Sequence, residues 1–187
     1  DNEIISSLKS YITIAYHKPK GITSTTDLKD KTNIIQAINY KERIFPIGRL
    51  DKDSEGLILL TSDGQSVNKI LRAENNHEKE YIVTLNKNYT NDFLSQMSQG
   101  VEIYNPVQDT KVITKPCTLK RIDDKTFSIT LTQGYNRQIR RMSQACGYKV
   151  IKLVRVRIMN IHLKGLKKGE YRLLTDKELS ELNQQLK

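Results

Sequence analysis

The sequence predicts an α+β fold built on a largely antiparallel sheet, and three observations lead there. Segments rich in β-branched and apolar residues recur along the chain. Short helical patterns fall between them, but not in the regular strand–helix–strand alternation that a parallel sheet requires. The chain has 187 residues, enough for a sizeable core, and no internal repeat, low-complexity tract or long Gly/Ser linker divides it.

The elements follow in order. Tyr11 to Tyr16 alternates polar with β-branched and apolar side chains and stops at Pro19-Lys20-Gly21, a strand running into a turn. Leu57 to Thr61 is a short continuous apolar run closed by Asp63-Gly64, the signature of a buried strand. Val67, Ile70 and Leu71 then fall at helical spacing. Tyr81 to Leu85, Lys111 to Leu119, Thr126 to Thr132 and Val150 to Met159 all have strand composition. Ile139 to Cys146 is expected to be helical, with Gly147 placed to end it. Thr175-Asp176-Lys177-Glu178 is a capping box, and Leu179, Leu182 and Leu186 follow on one face of a closing amphipathic helix.

Charge and composition narrow the function. Lys and Arg number 31 against 21 Asp and Glu, a net charge of +10. The basic residues cluster at Arg137 to Arg141, Lys149 to Arg157 and Lys164 to Lys168, the footprint of a protein that binds a phosphate backbone. No apolar run approaches the roughly 18–20 residues that span a bilayer, and the N-terminus has no secretory pattern. Cys117 and Cys146 lack metal or redox spacing. A cytoplasmic protein with reduced thiols and no membrane partner is therefore expected. His17, His77 and His162 lie far apart, so no metal is expected. Hydrolase elbows, phosphate-cradling loops and dinucleotide fingerprints are absent, which argues against serine hydrolase, NTPase and nicotinamide chemistry.

The chemistry-bearing stretch is Gly48-Arg49-Leu50-Asp51-Lys52-Asp53-Ser54-Glu55-Gly56, an acidic loop directly before the apolar run in an otherwise basic protein. Carboxylates placed where a polyanion approaches need a reason. Calcium is a poor one: Asp51, Asp53, Glu55 and Gly56 imitate positions 1, 3, 5 and 6 of an EF-hand loop, but position 12 would be Ser62, which supplies no bidentate carboxylate. The residues alone leave two readings. Either a lone Asp does metal-free, cofactor-free catalysis, or the three acids merely cap a strand and face solvent.

Four stretches in order separate these readings by resemblance. Gly48-Arg49-Leu50-Asp51 with Ser54-Glu55-Gly56-Leu57 resembles the catalytic motif of the pseudouridine synthases, and more narrowly of the RsuA/RluB/RluE/RluF family of bacterial ribosomal RNA enzymes. His17-Lys18-Pro19-Lys20-Gly21 is similar to that family's Lys-Pro-x-Gly element. Gln133-Gly134-Tyr135-Asn136-Arg137-Gln138-Ile139-Arg140-Arg141-Met142 is similar to its Asn-Arg-Gln-Ile-Arg-Arg motif. Arg72-Ala73-Glu74-Asn75-Asn76-His77-Glu78-Lys79-Glu80-Tyr81 looks most like the RluF branch. The likeness runs from about Ile12 to the C-terminus.

The resemblance implies a curved, mixed but mainly antiparallel sheet in two lobes with flanking helices and a central active-site cleft. It implies a cofactor-free enzyme that detaches uracil from C1′ of a uridine, rotates it and rejoins it through C5. Asp51 would be the catalytic carboxylate, attacking sugar or base or stabilising a cationic sugar. Arg140 would pair with Asp51, since a nearby cation favours the ionised form of a carboxylate. Tyr81 would stack on the flipped uracil or move a proton. Arg49 would fill the gap left in the RNA when the base is extruded. Lys18, Asn136, Arg137 and Arg141 would contact the RNA backbone, while Gly21, Gly48 and Gly56 would serve backbone geometry. The expected substrate is a uridine in a large-subunit (23S) rRNA stem-loop, with tRNA as an additional candidate, acted on by a monomer. The alternatives are a small-subunit rRNA or tRNA target, or an inactive RNA-binding or ribosome-assembly protein. Residues 11–187 would be the catalytic domain. Residues 1–10 would be a lead-in, either trimmed from a preceding S4 domain or belonging to a member without one.

Overall fold

The computed structural model describes residues 11–185. Its centre is strand β3 (Glu55–Thr61), all seven residues of which are buried. The reason is visible in its two faces. Leu57 and Leu59 enter one core with Ala15, Ile47 and Ile158, whereas Ile58 and Leu60 enter another with Ile14, Tyr16 and Ile34. Alternation of side chains along a strand covered on both sides thus turns the apolar run into two half-cores.

One edge of β3 pairs antiparallel with β1 (Thr13–Lys18), which in turn pairs with the short β11 (Tyr171–Leu173). The other edge is divided. β2 (Phe45–Ile47) takes Leu59 to Thr61 antiparallel, and β9 (Val150–Ile158) takes only Glu55 and Gly56, in parallel. Between them the Leu57 carbonyl accepts from Arg155 Nε at 2.7 Å, so a buried guanidinium satisfies the backbone that no strand reaches. Beyond β9 the sheet continues antiparallel through β4 (Lys79–Leu85), β8 (Thr126–Leu131) and β7 (Thr118–Arg121). The order is β11-β1-β3-β9-β4-β8-β7, with β10 (Ile161–His162) alongside β9.

Five helices complete the described fold. α1 (Ile34–Ile38) covers the Ile14/Tyr16 core. α2 (Val67–Glu74) and α5 (Asp176–Gln185) cover the opposite face through Val67, Ile70, Leu71, Leu179 and Leu182. α3 (Asn91–Gln99) and α4 (Gln138–Ala145) pack Phe93, Met97 and Met142 onto Val83, Phe127 and Ile129 of the second half. β5 (Glu102–Asn105) and β6 (Thr110–Ile113) form a separate hairpin. The capping box forms as read: Glu178 N donates to Thr175 Oγ1 at 3.1 Å and Thr175 N to Glu178 Oε1 at 2.9 Å.

The stretch Lys111 to Leu119 is not one strand. It splits into the end of β6 and the start of β7 around Pro116, which has no N–H to give a ladder. Leu186 and the lead-in at 1–10 lie outside the described residues. No described helix is long and apolar enough to cross a membrane.

Candidate active site

The loop from Gly48 to Ser54 joins β2 to β3 at the point where the β3 edge divides, and buried polar groups fix its shape. The Ser24 hydroxyl donates to the Leu50 carbonyl at 2.9 Å and accepts from the Leu50 N–H at 3.1 Å. Ser54 N donates to Asp51 O at 2.9 Å, closing a turn around Lys52 and Asp53. The Pro19-Lys20-Gly21 turn buttresses it from below, with Gly21 N donating to Lys52 O at 2.8 Å.

Lys18 is part of this buttress, which corrects its expected role as an RNA contact. It is 0% exposed, and its Nζ donates to the carbonyls of Ile22 (2.7 Å), Pro19 (3.0 Å) and Lys52 (3.4 Å). Burial lowers its ammonium to about 8, against the opposing pull of Asp51, Asp53 and Glu55. A phosphate cannot reach a group so enclosed.

Above the loop lies a cavity of about 320 Å³ between the two halves of the sheet. The loop contributes Arg49 and Asp51, β4 contributes Tyr81, and the segment leading into α4 contributes Asn136 and Arg137. Tyr81 owes its aim to a register shift in the β4–β9 pairing. Glu80 faces Arg157, but Tyr81 faces Arg155, leaving Val156 unopposed. Such bulges bend a strand and redirect a side chain beside a site. Part of the Tyr81 ring packs on the second-half core, and the residue is half-buried.

The arginines reach the loop differently from expectation. Arg137 Nη1 and Nη2 donate to the two Asp53 oxygens at 2.9 and 2.8 Å, and Nη1 also lies 3.5 Å from Asp51 Oδ2. Arg140 Nη2 donates to Asp53 O and to Ser54 Oγ, both at 3.1 Å, and its Nη1 is 3.6 Å from Asp53 Oδ2. So Arg137, not Arg140, is the cation beside Asp51, and Arg140 instead clamps the turn that follows. The cause is local. Arg137 sits in the left-handed region (φ 50°, ψ 39°) just before α4 and projects across the gap, whereas Arg140, three residues on along the same helix face, meets the loop lower down. The paired Arg137 holds the Asp53 carboxyl down at about 2. Arg141 turns away and donates to Asn136 O (3.0 Å) and Asn136 Oδ1 (2.9 Å) on the exposed surface.

Asp53 and Asp51 thus share the Arg137 guanidinium, Asp53 the more closely, while Glu55 turns to a different cation. Asp53 goes to Arg137 and Glu55 toward Lys168, 3.4 Å away, leaving Asp51 on the cavity wall with its side chain 39% exposed. The sequence reading missed the bridging part of Asp53, although two arginines at i and i+3 on one helix face are a signal that an acid should meet them. It also missed Glu74, Lys79 and Arg155, which line the cavity from α2, β4 and β9. Arg155 was hidden inside a basic cluster, and nothing in its spacing marks it as buried.

Comparisons with known proteins place the chain in a family. A family profile described as RNA pseudouridylate synthase matches residues 12–145. The dual-specificity RNA pseudouridine synthase RluF of Escherichia coli (strain K12) is 53% identical over 171 residues, which cover 91% of this chain and 57% of that protein. The chain thus spans little more than half the length of that relative. The ribosomal small subunit pseudouridine synthase A of Salmonella typhimurium is 36% identical, covering 89% of this chain and 71% of its own. A solved pseudouridylate synthase structure superposes with a TM-score of 0.82 at 32% identity, over 94% of this chain and 75% of that one. With the profile matching residues 12–145 and relatives 36–53% identical over about nine-tenths of its length, the chain belongs to the RNA pseudouridylate synthase family.

Proposed function

We propose that this chain isomerises a uridine of ribosomal RNA to pseudouridine, with no cofactor and with Asp51 as the catalytic carboxylate. The observation that carries this reading is the placement of Asp51. It stands on the wall of a base-sized cavity between the halves of the sheet, Tyr81 shares that wall, and the Arg137 guanidinium lies 3.5 Å away. In the reaction the N1–C1′ bond breaks and N1 takes up a proton. The uracil turns, the C5–C1′ bond forms, and C5 gives up its hydrogen. A carboxylate at C1′ serves such a step as nucleophile or as a counter-charge to the sugar. Arg137 supplies a fixed positive charge beside it, and the Tyr81 ring offers a face for the turning base.

C1′ and C5 cannot be reached while a base is stacked, so the target nucleotide must leave its helix. Arg49, exposed at the cavity rim, is placed to fill the gap it leaves. Asn136 on the cavity wall, and Arg141 bonded to it on the adjoining surface, offer polar groups to the RNA backbone. Residues 11–187 are the catalytic unit and residues 1–10 its lead-in, and the protein works as a cytoplasmic monomer. The preferred target is a stem-loop of 23S rRNA, with tRNA as a second substrate. This rests on the RluF-like segment before Tyr81 and on the higher identity to the dual-specificity enzyme (53%) than to the small-subunit enzyme (36%).

The test is to treat protein-free 23S rRNA, 16S rRNA and tRNA with the enzyme and map new pseudouridines by carbodiimide labelling and primer extension. A new stop in 23S rRNA is expected. Stops in 16S rRNA alone would move the substrate to the small subunit, and no stop in any RNA would sink the enzymatic reading.

A further inference from the structure

Glu74 is the last residue of α2, one turn beyond Leu71. Leu71 Cδ2 would lie 3.2 Å from a Cβ on Gly48, so this face of α2 packs directly on the Asp51 loop. Three residues on, Glu74 shares the face and lines the same cavity. It is 4% exposed, and its Oε1 has no hydrogen-bond partner among the described residues. Neither neighbouring cation gives Oε1 a hydrogen bond. Lys79 Nζ donates to the Glu74 backbone carbonyl at 3.3 Å, and Arg155 Nε donates to Leu57 O. A buried carboxyl without a donor is costly, and a folded protein keeps one where something arrives to pair with it.

We infer that Glu74 is a base-recognition residue, pairing edge-on with the imide edge of the uracil that enters the cavity. One oxygen would accept the uracil N3–H, and the other, as the neutral acid, would donate to an adjacent uracil carbonyl. Two features support the pairing. The terminal torsion of Glu is soft and roughly two-fold, so either oxygen can turn to the cavity at little cost. Burial also pushes the Glu74 carboxyl above its ordinary value, against the opposing pull of Lys79 and Arg155, which favours the neutral donor form. The inference rests on the synthase reading above and adds the group that reads the base once it is flipped.

The experiment measures single-turnover release of the C5 tritium from a saturating stem-loop RNA by wild type, Glu74→Gln and Glu74→Leu, with RNA affinity and melting temperature for each. Glutamine keeps an acceptor and a donor in the geometry of the neutral acid and should retain at least about a third of the rate. Leucine keeps the volume but neither group, and should slow release about tenfold or more while RNA affinity moves less than about twofold. Because leucine removes an unpaired buried carboxyl, it should melt at or above the wild-type temperature, which a structural role would not produce. Wild-type rates in the leucine variant, or equal losses in both variants with lowered melting, would overturn the assignment while leaving the synthase intact. Failure of wild type to release tritium from any RNA would overturn the synthase reading and this inference with it.

Discussion

Arg137 is held by two carboxylates at once, Asp53 through both terminal nitrogens and Asp51 at 3.5 Å, so the charge beside Asp51 is positioned by Asp53. This link has a pH signature whose sign follows from the shift. Asp53 titrates from about 3.8 unfolded to about 2 folded, so its stabilisation is complete above about pH 4 and is lost as the pH falls through 2. With the Asp53 side chain 40% exposed, solvent screening limits the contribution to about 1 kcal/mol. Asp53→Asn should lower the melting temperature at pH 7 by a few degrees and flatten the acid limb between pH 4 and 2. Unchanged acid melting would show that the pair contributes nothing to stability. Asp51 was legible as a candidate because its motif is contiguous. Its partner was not: the choice between Arg137 and Arg140 depends on a left-handed backbone at one residue, which an Asn-Arg-Gln string does not announce. Lys18 was misread for a similar reason, because a lysine beside a proline turn looks exposed until three carbonyls are seen to surround it.

The element that joins the two halves of the molecule is the parallel contact of β3 with β9, only two residue pairs long. Gly56 makes it possible. Its φ is +113°, and a Cβ there would lie 2.3 Å from Arg155 O and 2.5 Å from Arg155 N, both backbone atoms that cannot give way. Gly56→Ala should therefore cost at least about 2 kcal/mol and disturb the cavity wall at Arg155. Denaturant unfolding checks this, and a midpoint within error of wild type would mean the junction is not under the constraint described. The strands with long or strongly patterned runs, β1, β3, β4, β8 and β9, could be read from residue alternation and composition, as could α4 and the capped α5. β2, β5, β10 and β11 could not, being only two to four residues long. α1 was missed because five residues give little more than one turn of periodicity, and in both α1 and α3 it is the tertiary contacts of Ile34, Ile38, Phe93 and Met97 that reveal the buried faces.

Across the whole molecule, 31 basic residues against 21 acidic ones establish a positive surface, yet the loop from Gly48 to Ser54 is acidic and is neutralised internally by Arg137 and Arg140. RNA affinity should thus come from the remaining cations and carry their salt dependence. Between about 50 and 200 mM salt the affinity should fall tenfold or more, approaching 10³-fold if about six phosphates are engaged. A flat salt titration would remove the electrostatic part of the account. The fold class was legible at this scale because strand composition without regular alternation admits few architectures. The position of the cavity was not, since it lies where β2 and β9 part along one edge of β3, a feature of pairing rather than of sequence. The most direct test of the central claim, that Asp51 in this cavity does the chemistry, is tritium release from 23S rRNA labelled at uridine C5. Wild type should release tritium, and Asp51→Asn should release none while binding the same RNA with affinity within about threefold. Equal release by the two proteins, or none by either from any ribosomal RNA or tRNA, would contradict it.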